Sequence, residues 1–200
     1  MGVANYLTFT RIFISPIFMF LYLEYELLGI SFVWLPYILL FLLLVSELSD
    51  AFDGYFARKL SQVTDLGKIL DPMADSIYRI SVFLTFTRPP VSVPLLLVFV
   101  FLYRDSVIST LRTVCALRGF ALAARSTGKI KAVIQAIATF VITIILIPYS
   151  LGYMSGATMR MTATIATAVA AAYALYAGVE YLWANRDYVI RLLRREKGSN

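Results

Sequence analysis

Six long apolar runs constrain this chain more than any other feature. They cover roughly residues 5–24, 31–49, 69–87, 91–117, 130–150 and 158–184, with short connections between them. Crossing a bilayer takes about 20 mostly apolar residues. Helices are favoured there because each satisfies its own backbone hydrogen bonds in lipid. Of 200 residues 60% are hydrophobic and only 15% charged, and the mean hydropathy is +0.78. A soluble domain of this size would expose too much apolar surface. The expectation is an all-α integral membrane protein with six transmembrane helices. It would form one membrane-embedded catalytic domain over residues 1–200, with a basic cytoplasmic tail at about 186–200. The first run does not read as a removable signal peptide: no small-residue cleavage pattern follows it, and its single Arg11 lies inside it.

The distribution of charge sets the expected orientation. The connection after the second run holds Arg58, Lys59 and Lys68, and the one after the fourth holds Arg118, Arg125 and Lys129. The tail adds Arg186, Arg191, Arg194, Arg195 and Lys197. The opposite side has only Arg88 and, at an edge, Arg160. The positive-inside rule puts both termini and both basic connections in the cytoplasm, in an inner membrane crossed several times. The tail is expected to rest on anionic headgroups, with no nucleic-acid partner. There is no histidine and one cysteine, Cys115, so imidazole chemistry and an internal disulfide are both excluded.

Against this apolar background the stretch from Glu47 to Asp75 is crowded with acids: Glu47, Asp50, Asp53, Asp65, Asp71 and Asp75. Asp50 and Asp53 are three apart, Asp71 and Asp75 four apart, so each pair shares a helix face. The first pair closes the second run and the second opens the third, which predicts one cytoplasmic depth on neighbouring antiparallel helices. Gly54 leaves room for a ligand or backbone to come close, and Pro72 is expected near a first helical turn. Ionised groups at the centre of a span cost about 2.5–3.5 kcal/mol each, less near an interface, and four converging carboxylates also repel. Purely structural pairing needs four cations, and only Arg58 and Arg79 are obvious nearby. All-oxygen ligation suits Mg²⁺ or Mn²⁺, and two such ions would balance four carboxylates. Arg58, the hydroxyl of Thr64 and the space at Gly67 add what is needed to act on a diphosphate.

Two other readings use the same acids. A divalent-cation transporter would place acids along its pathway, but these lie at one membrane face, and the first, fifth and sixth runs lack acids near their middles. A prenyltransferase would bind an isoprenyl diphosphate through two separate Asp-rich motifs, where this chain has one compact cluster.

The pattern Asp50-x2-Asp53-Gly54-x2-Ala57-Arg58-x8-Gly67-x3-Asp71-x3-Asp75 resembles the complete signature of the CDP-alcohol phosphotransferases. The resemblance implies six transmembrane helices, a homodimer and two Mg²⁺ or Mn²⁺ ions held by Asp50, Asp53, Asp71 and Asp75. It implies that Asp75 is also the base for the acceptor hydroxyl. Gly54, Arg58 and Thr64 would contact the CDP part of CDP-diacylglycerol. The stretch Val3-Ala4-Asn5-Tyr6, with Thr8, resembles the one that family members place against the nucleotide. Two further runs, Asn5-x-Leu7-Thr8-x2-Arg11 and Arg104-Asp105-x3-Ser109-x2-Arg112 through Arg118-Gly119 to Gly128-Lys129-Ile130-Lys131, resemble the bacterial phosphatidylglycerophosphate synthases within that family. The implied reaction transfers a phosphatidyl group from CDP-diacylglycerol to sn-glycerol 3-phosphate, with inositol phosphate, serine or a phospholipid as other acceptors the family uses. One residue departs: relatives usually carry Lys directly after the last aspartate, where this chain has Ser76.

The residues themselves also point to an anionic acceptor. Arg104 and Arg112 are eight apart, about two turns and so roughly one face, in the cytosolic half of the fourth run. Lys129 and Lys131 begin the fifth run at that level. Buried cations want an anion, and arginine pairs with phosphate bidentately. The plainer alternative is that Asp105 neutralises one of them and the others snorkel to the headgroups. Ser109 belongs to the acceptor pocket by the resemblance alone. Arg118 and Arg125 read as surface charges, Trp34 and Trp183 as interfacial belt residues, and Cys115 as a small packing residue. Pro16, Pro36 and Pro148 sit where they could bend a span. The small-residue run TATIATAVAAAYALYAG permits close helix approach, either inside one subunit or at a dimer contact.

Overall fold

The structure is a computed structural model of the chain. It describes the backbone of residues 3–59, 65–117, 122, 125–188 and 190, and their side chains except those of residues 3–9, 50, 51, 53–59 and 65–71. Six α-helices run through the described residues: α1 (Val3–Glu24), α2 (Leu35–Lys59), α3 (Asp65–Thr85), α4 (Leu95–Leu117), α5 (Ser126–Ser150) and α6 (Gly156–Ala184). No strand occurs among the described residues.

Each helix contains the core of one apolar run, but the ends differ where the run and the helix are set by different physics. A hydropathy run stops at the first charges, whereas the backbone ladder continues through them. So α2 extends past Ser49 to Lys59 and carries Asp50 and Asp53 on its last turns, and α3 begins at Asp65. Pro72 is therefore inside α3, not near its first turn as expected, and its ring removes one rung of the i to i−4 ladder there. Ser155 opens α6 by accepting a hydrogen bond from the Thr158 N–H at 3.1 Å. Gly152, with φ 79, turns the chain between α5 and α6 through the left-handed region.

Helix α1 packs on both α2 and α3, α5 packs on α6 and α2, and α4 packs on α6 and α3. Phe18 and Tyr22 of α1 meet Phe86 edge-on at 5.7 and 5.9 Å, and Phe83 meets Phe101 at 4.6 Å. The Tyr22 hydroxyl donates to Arg88 O at 3.0 Å and accepts from Val91 N–H at 3.2 Å, which pins α1 to the α3–α4 connection. In α6 the small residues Ala163, Thr167, Ala170, Ala171, Ala174, Ala177 and Gly178 are buried within the subunit, so this stripe serves packing inside one chain. Cys115 is buried, and Trp34 and Trp183 are exposed, as expected.

The exterior is apolar: Phe13, Phe41, Leu96, Ile137, Ile165 and Val169 all point outward. Patches of that kind are foreign to a soluble monomer. Among the described residues α5 and α6 are long and apolar enough to cross a membrane, and Leu35–Ser49 is a shorter apolar stretch. This is the make-up of a membrane protein. Among the described side chains, Arg79 of α3 and Asp105 of α4 are buried charges, and the candidate site lies beside them.

Candidate active site

Among the described residues, two ionic clusters lie in the interior. The first joins α2 to α3. Arg79 is buried; its Nε donates to Asp75 Oδ1 at 2.8 Å, one turn back on the same helix, and its Nη1 lies 3.1 Å from Glu47 Oε1 on α2. Glu47 stands three residues before Asp50, and Arg79 four residues after Asp75. The bridge therefore ties the two helices together one turn before Asp50 on α2 and at Asp75 itself on α3. Asp50 and Asp53 lie on α2, and Asp71 and Asp75 on α3. The side chains of Asp50, Asp53 and Asp71 are outside the described residues, as are those of Val3, Ala4, Asn5, Tyr6, Thr8, Gly54 and Arg58, and the whole of Thr64. Among the described residues no three metal-ligating side chains meet.

The residues of this region fit a hard divalent cation. Asp75 gives only Oδ1 to Arg79, and its carboxyl is half-buried beside the bridge. The other three candidate ligands are also carboxylates, the donor type that Mg²⁺ and Mn²⁺ prefer.

The second cluster centres on Asp105 of α4. Lys131 Nζ of α5 donates to both of its oxygens, at 2.7 and 2.9 Å, and Arg104 Nη1 to Oδ1 at 2.9 Å. Ser76 Oγ of α3 completes the set at 3.1 Å from Oδ2. Ser76 directly follows Asp75, so the second cluster abuts the first. Two cations share one buried carboxylate, and the surplus positive charge sits beside the candidate base. A buried pair of this kind holds only while its polar groups are satisfied.

Of the sequence-predicted acceptor residues, the structure brings together Arg104 and Lys131. Arg112 lies further along α4, where its Nε donates to Tyr181 Oη at 3.1 Å and its guanidinium stands 5.2 Å from the Tyr181 ring centre. Ser109 and Lys129 are exposed. Arg125 pairs with Glu180 at 2.8 Å at the surface, and Thr127 donates to the same carboxylate at 2.8 Å. Arg118 is outside the described residues. The plainer alternative, that Asp105 neutralises one of these cations, matches its bonds to Arg104 and Lys131, while the Glu47–Arg79 link was not foreseen from the sequence. The signal for that link was available: a glutamate one turn before one acid pair and an arginine one turn after the other.

The sequence matches the CDP-alcohol phosphatidyltransferase family over residues 1–183. It is 32% identical over 156 residues to a Bacillus subtilis protein named CDP-diacylglycerol–glycerol-3-phosphate 3-phosphatidyltransferase, covering 75% of this chain and 80% of that one. An Aquifex aeolicus protein of the same name is 39% identical over 87 residues, 44% of each chain. A Streptomyces coelicolor protein named cardiolipin synthase (CMP-forming) is 35% identical over 107 residues, 53% of this chain and 47% of that one.

Proposed function

The chain belongs to the CDP-alcohol phosphatidyltransferase family, and on that premise we propose that it transfers a phosphatidyl group from CDP-diacylglycerol to sn-glycerol 3-phosphate. The products are phosphatidylglycerophosphate and CMP. All six helices would cross the inner membrane, with the acid pairs facing the cytoplasm and two copies forming a homodimer. The relatives' names support the reaction. The observation that carries the choice of acceptor is the cationic cluster around Asp105, hydrogen-bonded to the residue next to Asp75.

Asp50, Asp53, Asp71 and Asp75 would hold two Mg²⁺ or Mn²⁺ ions. When bound, these neutralise the diphosphate and make CMP a better leaving group. Val3, Ala4, Asn5, Tyr6, Thr8, Gly54, Arg58 and Thr64 would contact the donor's nucleotide end. Asp75 would accept the proton of the acceptor hydroxyl as its oxygen attacks the lipid-side phosphorus. That new P–O bond forms while the bond to the CMP phosphate breaks, and CMP leaves with the electron pair. Arg104 and Lys131 would hold the acceptor's phosphate, with Arg112, Ser109 and Lys129 along its approach. Fixing both ends of the acceptor turns a bimolecular encounter into a local one.

An acceptor panel tests the proposal. Purified protein with CDP-diacylglycerol and Mg²⁺ receives glycerol 3-phosphate, inositol phosphate, serine or phosphatidylglycerol. Release of CMP with glycerol 3-phosphate, and formation of the matching lipid, is the expected result. CMP release with another acceptor alone would move the assignment within the family.

A further inference from the structure

We infer that Asp105 and Gly178 are positioning residues that aim Arg104 at the phosphate of a small phosphate-monoester acceptor, an inference that rests on the reaction proposed above. Neither residue would touch substrate. Both act through the arginine.

The geometry separates the roles of the two cations. Lys131 is held by both oxygens of Asp105. Arg104 gives that carboxylate one nitrogen, Nη1, and its Nε is buried with no hydrogen-bond partner among the described residues. A buried donor without a partner is uncommon and calls for an acceptor. Five N–H donors on one planar group leave Arg104 able to grip a phosphate while still bound to Asp105.

The arginine is also seated from the other side. Its stem lies against the α6 backbone at Gly178, where an added Cβ would stand 3.0 Å from Arg104 Cγ and 3.9 Å from Nε. At its far end Nη2 is 4.0 Å from where a Cβ of Gly128, at the start of α5, would be. The guanidinium therefore runs between α5 and α6 in room left by the missing side chain of Gly178, whereas a Cβ at Gly128 would make only ordinary contact. Asp105 fixes its direction at Nη1. Through Ser76, the same carboxylate is registered to the turn of α3 that bears Asp75. One carboxylate thus sets the place of the phosphate-holding arginine relative to the base, which suits a molecule carrying a phosphate and a nearby free hydroxyl.

The test uses full-length protein in detergent or liposomes, with Asp105→Asn and Gly178→Ala assayed for the KM of glycerol 3-phosphate and of CDP-diacylglycerol separately. Both variants should raise the acceptor KM about tenfold, the scale of one well-made hydrogen bond, with the donor KM unchanged. Asp105→Asn can unfold the bundle by stranding Lys131. Gly178→Ala improves helix propensity and decides the matter alone in that event. An unchanged acceptor KM in Gly178→Ala, or equal rises for both substrates, overturns the inference while leaving the reaction standing. Wild-type protein that transfers to no phosphorylated acceptor rejects the underlying reaction, and the inference with it.

Discussion

Arg79 and Asp75 sit one turn apart on α3 and are joined by a 2.8 Å bond from Nε to Oδ1, while the same guanidinium reaches Glu47 on α2. The arginine thereby orients the candidate base and locks two helices in register. Arg79→Ala removes the cation between two half-buried carboxylates. It should destabilise the protein by about 3–5 kcal/mol, as breaking a buried pair does. It should also lower manganese affinity by about 10- to 100-fold, as loss of a partner to a ligating carboxylate does. Thermal unfolding and manganese titration measure the two effects. Arg79→Lys keeps the charge without the planar fork and should fall between.

Removal of divalent metal should abolish transfer, and either Mg²⁺ or Mn²⁺ should restore it. Asp53→Ala should not be rescued at metal concentrations that saturate the wild type. Asp75→Asn should stop turnover while still allowing the nucleotide-lipid to bind, because the charge at the metals falls only partly. Binding of CDP-diacylglycerol followed in the absence of acceptor checks this. Near-wild-type turnover in Asp75→Asn would remove it as the base.

Arg112 and Arg104 share a helix but not a setting. Arg112 is engaged by the Tyr181 hydroxyl and ring, whereas Arg104 belongs to the Asp105 cluster. Arg112→Ala should therefore raise the acceptor KM less than Arg104→Ala does, and should loosen α4 from α6 by about 0.5–2 kcal/mol. Steady-state kinetics with both variants, beside denaturation midpoints, separates these contributions. A larger acceptor effect at Arg112 would place the phosphate further along α4.

The small residues of α6 give a prediction about folding alone. Ala174 is fully buried, in a stripe that lets neighbouring helices approach. Ala174→Leu should overpack the interface and cost about 1–3 kcal/mol, lowering the unfolding temperature. Val169→Leu on the exposed face should have little effect.

Much of this architecture was legible in the residues. Hydropathy located the six helices because long apolar runs favour self-satisfied helical backbone, and the acid pairs fall on α2 and α3, with the side chains of Asp50, Asp53 and Asp71 outside the described residues. What it missed were features that depend on partners distant in sequence. The polar ends of α2 and α3 continue as helix because backbone bonding is indifferent to hydropathy, and that moved Pro72 into the helix interior. Glu47 and Arg79 are 32 residues apart, and Ser76, Asp105 and Lys131 lie on three helices. No local pattern announces that such side chains meet. The seat of Arg104 on Gly178 depends on an absent side chain, which sequence reading recorded only as a small residue.

The central claim is that carboxylates from α2 and α3 converge to hold paired divalent cations on a nucleotide-bearing lipid. The most direct test is anomalous diffraction from crystals grown with CDP-diacylglycerol and Mn²⁺. Two manganese peaks are expected among Asp50, Asp53, Asp71 and Asp75, with the diphosphate beside them. Diphosphate bound there with no anomalous signal between those four side chains would contradict that claim.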